Sequence, residues 1–267
     1  MKSFLKRMVY PLFGLSVPDR RVNVYKTIVF NAIAFGLKGV FRWPVYVYGN
    51  TDVYQVGKII LHCPMKHGLI KIGQLDLKSQ GRTKFKNAGT MEVWGPVKIE
   101  GCTILENDGI IEFHGFNRIA DGSLIVIRER LSIGEQSRIG FQSFVMDSDD
   151  HFLVNVDTKE VGANKKEIVI GKCNWIASRS VIKKGVRTPD YLIVASANAL
   201  LTKDYTDLPP YSVVGGCPAK LLKTGVRRIC NNEAESLLLK HFRTSRAPYR
   251  FMDRTIDEIC SQTNRHF

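Results

Sequence analysis

Aliphatic side chains recur at every sixth position in the C-terminal half of the chain. The positions are Ile170, Ile176, Ile182, Thr188, Val194 and Leu200, and five of these six side chains are aliphatic. A helix cannot align this period on one face, and a simple alternating strand does not fit the mixed residues in between. A period of six is typical of a chain wound into triangular coils, with three short strands per turn and one inward side chain per strand. The pattern therefore predicts an all-β coil.

The same period occurs upstream in two further runs. These are Val93, Ile99, Leu105 and Ile111, followed by Ile127, Ile133, Ile139 and Val145. The next position in the second frame is His151. The steps from Ile111 to Ile127 and from Val145 to Ile170 are not multiples of six, so each break is expected to carry an extra loop. The second, longer break is the better candidate for a binding site, because long excursions from a rigid scaffold often carry function.

The pattern divides the chain into three parts. Residues 1–44 are predicted to form a basic, partly helical N-terminal segment. Residues 45–222 form the coil domain, which is strand-rich from its start, repeats clearly from Val93 onward and carries a candidate active-site loop at 146–169. Residues 223–267 form a basic, helical C-terminal tail.

Local signals place helices in the two terminal parts. The segment from about Val22 to Val40 is apolar on two helical stripes, and such a helix must be covered by the coil, by another subunit or by a membrane surface. In the tail, Asn231 or Asn232 is positioned to cap a helix. Residues 255–258 have the spacing of a capping box for a second, short helix.

Positive charge is concentrated at the two ends of the chain. The net charge is +14; residues 1–42 hold eight Lys and Arg against the single Asp19, and residues 218–267 hold ten against five acids. This distribution favours contact with something anionic, either a membrane face or a ligand, although a solvated face that keeps the protein soluble is an equal alternative. No base-reading helix or stacking motif is present, so nucleic acid is not an expected partner.

Short apolar stretches and dispersed cysteines indicate a cytoplasmic protein. The uncharged stretches 8–18 and 27–37 have eleven residues each, whereas a membrane span needs about 20. No small-residue cleavage site follows them, so a removed signal peptide is not expected. The six cysteines contain no CxxC spacing, as in reduced cytoplasmic proteins without a zinc site. Peripheral contact with the inner membrane face is the accompanying alternative.

Four segments together resemble the hexapeptide-repeat acyltransferases. They are Ser148-Asp-Asp-His151, IVIGKCNWIASRSVIKKGV at 168–186, ANALLTKD at 197–204 and LPPYSVVGGCPAK at 208–220. Within that family the chain looks most like the O-acetyltransferases of bacterial surface-polysaccharide synthesis. The resemblance implies a left-handed parallel β-helix, a homotrimer with active sites between subunits, and acetyl-CoA as the donor.

The resemblance makes His151 the candidate general base and Asp149 its candidate partner. A sugar hydroxyl is a poor nucleophile at neutral pH, and an imidazole titrates in the range needed to deprotonate it. Acetyl-CoA is already activated, so direct transfer needs neither a metal nor a covalent enzyme intermediate. Asp149 matches the family's Ser-Asp-x-His pattern and is expected to orient the imidazole, with Asp147 as the second candidate. A plain turn residue is the alternative for either acid.

The same resemblance suggests where coenzyme A binds. The cofactor-binding positions it implies are Trp175, Ser178, Ala197, Thr202, Lys203 and Lys220. Trp175 would line the pantetheine channel and the lysines would meet phosphates as point charges. The alternatives are core or interface packing for the tryptophan and solvated side chains for the lysines. The family's Gly-Ala-Gly is 196–198 here, reading Ser-Ala-Asn, and Ala177 replaces the glycine after Trp-Ile.

Other functions remain open at this level. Acylation of an amino sugar or nucleotide-sugar would use the same base and donor. His62 and His67 are five residues apart, as in metal-binding hexapeptide proteins of the carbonic-anhydrase type, with His114 as a third ligand. A non-catalytic scaffold would explain the repeat but not the histidine-bearing loop. We expect no metal, and a sugar or polysaccharide as the acceptor.

Overall fold

Three parallel sheets form the sides of a coil, as the six-residue period predicts. The computed structural model describes residues 21–74, 81–195 and 198–261. Successive strands pass from one sheet to the next, and each strand pairs with the strand of the same sheet in the coil before and after it. Within the described residues the strand pairs of the three sheets are parallel except at the C-terminal end of the first sheet, where the last two strands pair antiparallel. The fold is a parallel β-helix.

The strands are numbered in chain order. The first sheet contains nine described strands: β1 (Val45–Val47), β4 (Ile70–Gln74), β7 (Val97–Glu100), β10 (Asn117–Ile119), β13 (Arg138–Ile139), β16 (Trp175–Ile176), β18 (Ile193–Val194), β20 (Val213–Gly215) and β21 (Lys220–Lys223). The second contains seven: β2 (Thr51–Gln55), β5 (Thr83–Asn87), β8 (Ile104–Asn107), β11 (Leu124–Ile127), β14 (Phe144–Met146), β17 (Val181–Lys183) and β19 (Leu200–Leu201). The third contains five: β3 (Lys58–Leu61), β6 (Thr90–Val93), β9 (Ile110–Phe113), β12 (Arg130–Ile133) and β15 (Ile168–Ile170).

The loop expected at the first break of the repeat is absent, and that prediction was wrong. Ile99 pairs directly with Ile119, so one turn of the coil contains 20 residues here instead of the 18 that three six-residue repeats would give. Strand β9 supplies the extra length, because it points two side chains inward, Ile111 and Phe113, and both are fully buried. The phase of the aliphatic pattern therefore shifts within a continuous coil.

The second break does carry the predicted loop. Ile139 pairs with Ile176 across two adjacent coils, although the chain between them is far longer than one turn. The additional residues lie between β14 and β15 and project from the edge where the second and third sheets meet.

The coil interior combines aliphatic side chains with buried amides. Every strand of the middle coils directs at least one fully buried aliphatic or aromatic side chain inward. At one corner the side-chain amide of Asn107 donates to Asn87 Oδ1 at 2.6 Å, and Asn87 in turn donates to the Val56 carbonyl at 2.7 Å. These bonds satisfy polar groups that would otherwise be costly to bury.

Helix α1 (Val24–Arg42) packs against the N-terminal end of the coil. Its buried face includes Asn31, whose amide donates to the Val45 carbonyl and accepts from the Val45 amide. Elsewhere the helix leaves five large apolar side chains exposed: Tyr25, Val29, Ile33, Leu37 and Phe41. By length and composition α1 is the one helix in the described part of the chain that could cross a membrane, and 22% of its apolar 18-residue window is buried. The stretch 27–37 lies within α1, and the stretch 8–18 lies outside the described residues.

Two helices follow the coil, at the positions that the capping signals indicate. Helix α2 (Asn232–Thr244) is capped by the side chain of Asn231, and α3 (Ile256–Cys260) begins with the capping box of Thr255 and Glu258. The segment before α2 returns to the coil, where the guanidinium of Arg227 lies 4.3 Å from the ring centre of Tyr191.

Candidate active site

The long loop between β14 and β15 is anchored at its first residue. Asp147 is fully buried, and its carboxylate accepts backbone N–H bonds from Arg128, Glu129 and Arg130, each at 2.8 Å. Its carbonyl also accepts from the Lys166 amide at 2.9 Å, which joins the two ends of the loop. Asp147 therefore shapes the loop and is not available to a substrate.

His151 lies exposed on this loop, and Asp149 does not contact it. Asp149 instead pairs with Lys184 at 2.6 Å and with Lys183 at 3.6 Å. The hydrogen bond from Lys184 lowers the pKa of the Asp149 carboxyl, so the group stays ionised at neutral pH. His151 forms no hydrogen bond or ion pair within the described chain, which leaves its imidazole open to an incoming group.

A cavity of about 260 Å³ lies on the outer face of the first sheet, beside Trp175 and Ser178. Gly140 forms part of its wall, and a Cβ at that position would lie 2.5 Å from the Ser178 backbone nitrogen. The close approach of the two coils thus requires glycine there. The residues that line the cavity are Glu100, Arg118, Ala120, Asp121, Arg138, Ile139, Gly140, Phe141, Trp175, Ser178 and Arg228.

The ring of Trp175 is partly exposed to this cavity. Its side chain is 44% exposed, and the Arg228 guanidinium carbon lies 5.7 Å from the ring centre. Just before it in the chain, burial raises the pKa of the Cys173 thiol to about 11. That thiol is therefore protonated at neutral pH and is not a nucleophile.

The structure brings together only part of the residue set predicted to bind coenzyme A. Trp175 and Ser178 line one cavity, whereas Thr202, Lys203 and Lys220 are exposed on coils further toward the C-terminus and do not line it. Lys203 lies over the ring of Tyr205, with 5.6 Å between the ammonium nitrogen and the ring centre. Ala197 lies outside the described residues.

Sequence reasoning missed the arginines of the cavity. Arg118 and Arg138 point outward from adjacent strands of the first sheet, and Arg138 is the register partner of Trp175 on the next strand. A signal was present, since Lys98, Arg118 and Arg138 are spaced by 20 residues, which is the length of a coil in this region. Arg228 comes from the tail and has no such signal.

Two of the three histidines considered as a zinc site, His62 and His114, make other contacts. His62 and His114 stack on opposite sides of Trp94, with ring centres 4.1 and 4.6 Å from the indole. His62 also bonds Glu92 at 2.8 Å. Among the described residues, no group of three or more His, Cys, Asp and Glu side chains is arranged to hold a metal ion.

Part of the chain is similar in sequence to known acetyltransferases, although no family model matches it. A chloramphenicol acetyltransferase of Agrobacterium fabrum is 35% identical over 74 residues, which is 28% of this chain and 32% of that protein. A chloramphenicol acetyltransferase of Escherichia coli is 32% identical over 99 residues, which is 37% of this chain and 42% of that protein. The chain thus spans less than half the length of these curated relatives.

Two acyltransferases are among the solved structures that align with this chain. The polySia-specific acetyltransferase NeuO aligns with 76% of this chain and 99% of its own, at 16% identity and a TM-score of 0.44. The N-acyltransferase AntD from Bacillus cereus, solved with dTDP and 3-hydroxybutyryl-CoA, aligns with 75% of this chain and 89% of its own, at 16% identity and a TM-score of 0.41. At these values the overlaps do not transfer a substrate or a mechanism to this chain.

Proposed function

We propose that the protein is an acetyl-CoA-dependent O-acetyltransferase. Its acceptor would be a sugar hydroxyl of a cell-surface polysaccharide or of a precursor of one. The observation that carries the proposal is an unpaired, exposed His151 on the long loop of a hexapeptide coil, in a chain that shares sequence with acetyltransferases. The left-handed sense of the coil belongs to the same proposal.

His151 acts as the general base in this reaction. It takes the proton of the acceptor hydroxyl while the hydroxyl oxygen attacks the thioester carbon of acetyl-CoA. The new ester C–O bond forms and the C–S bond breaks. The leaving thiolate of coenzyme A then takes the proton from the imidazolium, so atoms and charge balance. A backbone N–H near the thioester would stabilise the oxyanion that forms on the way.

Asp149 is proposed as a positioning residue rather than as a direct partner of the imidazole. Its ion pairs with Lys183 and Lys184 of the next coil tie down the base of the loop two residues before His151. A fixed loop keeps the base close to its working geometry, and small displacements of a catalytic group reduce rates strongly.

The active site is proposed to lie between subunits of a homotrimer. His151 is not among the residues that line the Trp175 cavity. The loop leaves from the edge between the second and third sheets, whereas Trp175 lies on the first sheet. The loop also exposes Phe152, Leu153 and Val156, an apolar set suited to contact with another copy of the chain.

The donor is proposed to run along the coil axis from the Trp175 cavity toward the C-terminal coils. Trp175 and Ser178 would contact its pantetheine arm, while Ala197 and Thr202 would contact the arm and nucleotide further along. Lys203 and Lys220 are exposed cations on those coils and would meet its phosphates.

A cytoplasmic location with peripheral contact at an anionic membrane face is part of the proposal. The exposed apolar stripe of α1 is accompanied by Lys38 and Arg42, a combination typical of helices that lie in a membrane interface. Such contact would bring the enzyme to a lipid-linked acceptor.

The direct test measures thiol release from acetyl-CoA by the purified protein, with and without a panel of oligosaccharides. We expect acceptor-dependent release that His151→Ala reduces at least a hundredfold, as for the loss of a general base, with coenzyme A binding retained. His241→Ala, in helix α2, is the matched control and should leave the rate unchanged. Undiminished transfer by His151→Ala would rule out the mechanism, and no binding of acetyl-CoA would rule out the class.

A further inference from the structure

Cations are stacked on the outer face of the first sheet. Lys98 is the register partner of Arg118, which is in turn the partner of Arg138. Trp175 occupies the next position of this column. Neighbouring strands are about 4.8 Å apart, so like charges in register repel one another unless anions are placed among them. One such anion is Glu100, which is buried 2.6 Å from Arg118 and 3.3 Å from Lys98.

The upper end of the column has no such counter-charge. Arg138 forms no ion pair within the described chain, and its Nε is buried without a hydrogen-bond partner. Arg228 enters from the tail on the same cavity, and its Nη1 is also buried without a partner. Burial, and then the nearby charge of Arg228, lowers the pKa of the Arg138 guanidinium, which nevertheless remains charged. Two guanidinium groups without an ion-pair partner in the described chain therefore face one space.

The same cavity also contains one unused acceptor. The Oδ1 atom of Asp121 is buried without a hydrogen-bond partner, and no ion pair joins Asp121 to Arg138 in the described chain. A carboxylate oxygen accepts from a hydroxyl group and repels another anion. The cavity thus offers guanidinium donors for an anionic group and, separately, a carboxylate for a hydroxyl.

We infer that the Arg138–Arg228 cavity binds an acidic sugar, with its carboxylate or phosphate on the two arginines and a hydroxyl on Asp121. Arginine suits this role because its planar fork matches both kinds of oxyanion. The inference rests on the proposed function, for which it specifies an anionic rather than a neutral acceptor.

The position of the cavity separates it from the proposed phosphate contacts of the donor. Arg138 lies one coil to the N-terminal side of Trp175, and Lys203 and Lys220 lie on coils to its C-terminal side. Trp175 and Ser178 line the same cavity as the arginines. A donor whose pantetheine arm contacts only that edge of the cavity, and then continues toward those lysines, would leave the side with Arg138, Arg228 and Asp121 for the acceptor.

Calorimetric binding tests the cavity without requiring turnover. The probes are a galacturonic acid trimer, its methyl ester, and galactose 1-phosphate, which separate a carboxylate, a neutral group and a phosphate. We expect the wild-type protein to bind at least one acidic probe, and Arg138→Gln to weaken that binding about tenfold or more. Arg138→Lys, which keeps the charge, should recover part of it. Arg246→Gln, an exposed arginine of the tail, is the matched control and should bind as wild type does.

The outcomes distinguish this inference from the proposed function. If neither acidic probe binds more tightly than the methyl ester, or if Arg138→Gln binds the acidic probes as wild type does, the inference is overturned even if acetyl transfer occurs. Weaker coenzyme A binding by Arg138→Gln, with acid binding unchanged, would assign the arginines to the donor and also overturn it. Acid binding that depends on Arg138 in a protein that transfers no acetyl group would support the cavity and reject the transferase.

Discussion

Arginines on two faces of the same coils have opposite surroundings. On the third sheet, Arg130 lies between Glu112, at 2.8 Å, and Glu167, at 3.5 Å. On the first sheet, Arg138 follows Arg118 in register and has no acid within ion-pair distance in the described chain. The coil period aligns charged side chains in columns on both sheets. The two columns differ in sign pattern: acids flank Arg130 on the third sheet, whereas another arginine precedes Arg138 on the first. Alternating charges support the coil, whereas stacked like charges cost stability and therefore indicate a site that an anionic ligand completes.

The largest loss of stability is expected from removing Asp147, whose carboxylate binds the start of the third-sheet strand that carries Arg130. Asp147→Ala would leave three backbone N–H groups, from residues 128–130, without their acceptor. We expect the free energy of unfolding to fall by about 3 kcal/mol, because buried donors lose their partners. Urea denaturation measures this, with Asp150→Asn as the control. Asp150 is exposed and makes one long contact of 3.4 Å with Arg128, and asparagine tolerates its positive φ. Equal losses in both variants would contradict the anchoring role.

The two arginines themselves provide a smaller and sharper test. Arg130→Gln should lower the free energy of unfolding by about 0.5 kcal/mol, a modest value because the pair is partly exposed and screened by water. Arg138→Gln should leave it unchanged or raise it, since it removes a half-buried charge that has no ion-pair partner in the described chain. Thermal unfolding of the ligand-free protein at low and high salt would compare them. A larger loss for Arg138→Gln than for Arg130→Gln would mean that the first-sheet column is also a stabilising feature.

The smallest effect concerns the pH dependence of the loop. The pKa of Asp149 is lowered in the folded state by its hydrogen bond with Lys184, so its contribution to stability is present above the unfolded pKa of about 4. That contribution is lost as the pH falls through the lower, folded-state pKa. Wild type should therefore exceed Asp149→Asn in stability at pH 7, and the difference should disappear in acid. A difference that persists or grows below pH 3 would exclude the ion pair as its cause.

The sequence predicts the coil better than it predicts the site. The inward aliphatic side chains identify the coil because each must be buried, and the jump from Val145 to Ile170 correctly locates the loop. The shift at Ile111 was misjudged, because a strand with two inward side chains lengthens the coil just as a loop would. The period of 20 was therefore not recognised, and the cations aligned with that period were missed.

Two features of the site could not be predicted from the sequence: the position of Arg228 and the partners of Asp149. Arg228 reaches the cavity because the tail folds back on the coil, which no repeat records. Asp149 was expected beside His151, but two lysines of the next coil compete for its carboxylate and lie closer. The proposed meeting of His151 with Trp175 is between two copies of the chain, which a pattern within one chain cannot specify.

The central claim is that His151 of one chain serves the Trp175 cavity of another. It is tested most directly by co-expressing His151→Ala and Trp175→Ala chains with different tags and purifying the mixed assemblies over both tags. In a trimer with sites between subunits, one site in each mixed assembly combines an intact base with an intact cavity. The account predicts about one third of the wild-type rate of acceptor-dependent thiol release per assembly. A mixed assembly no more active than its two parent variants would contradict it.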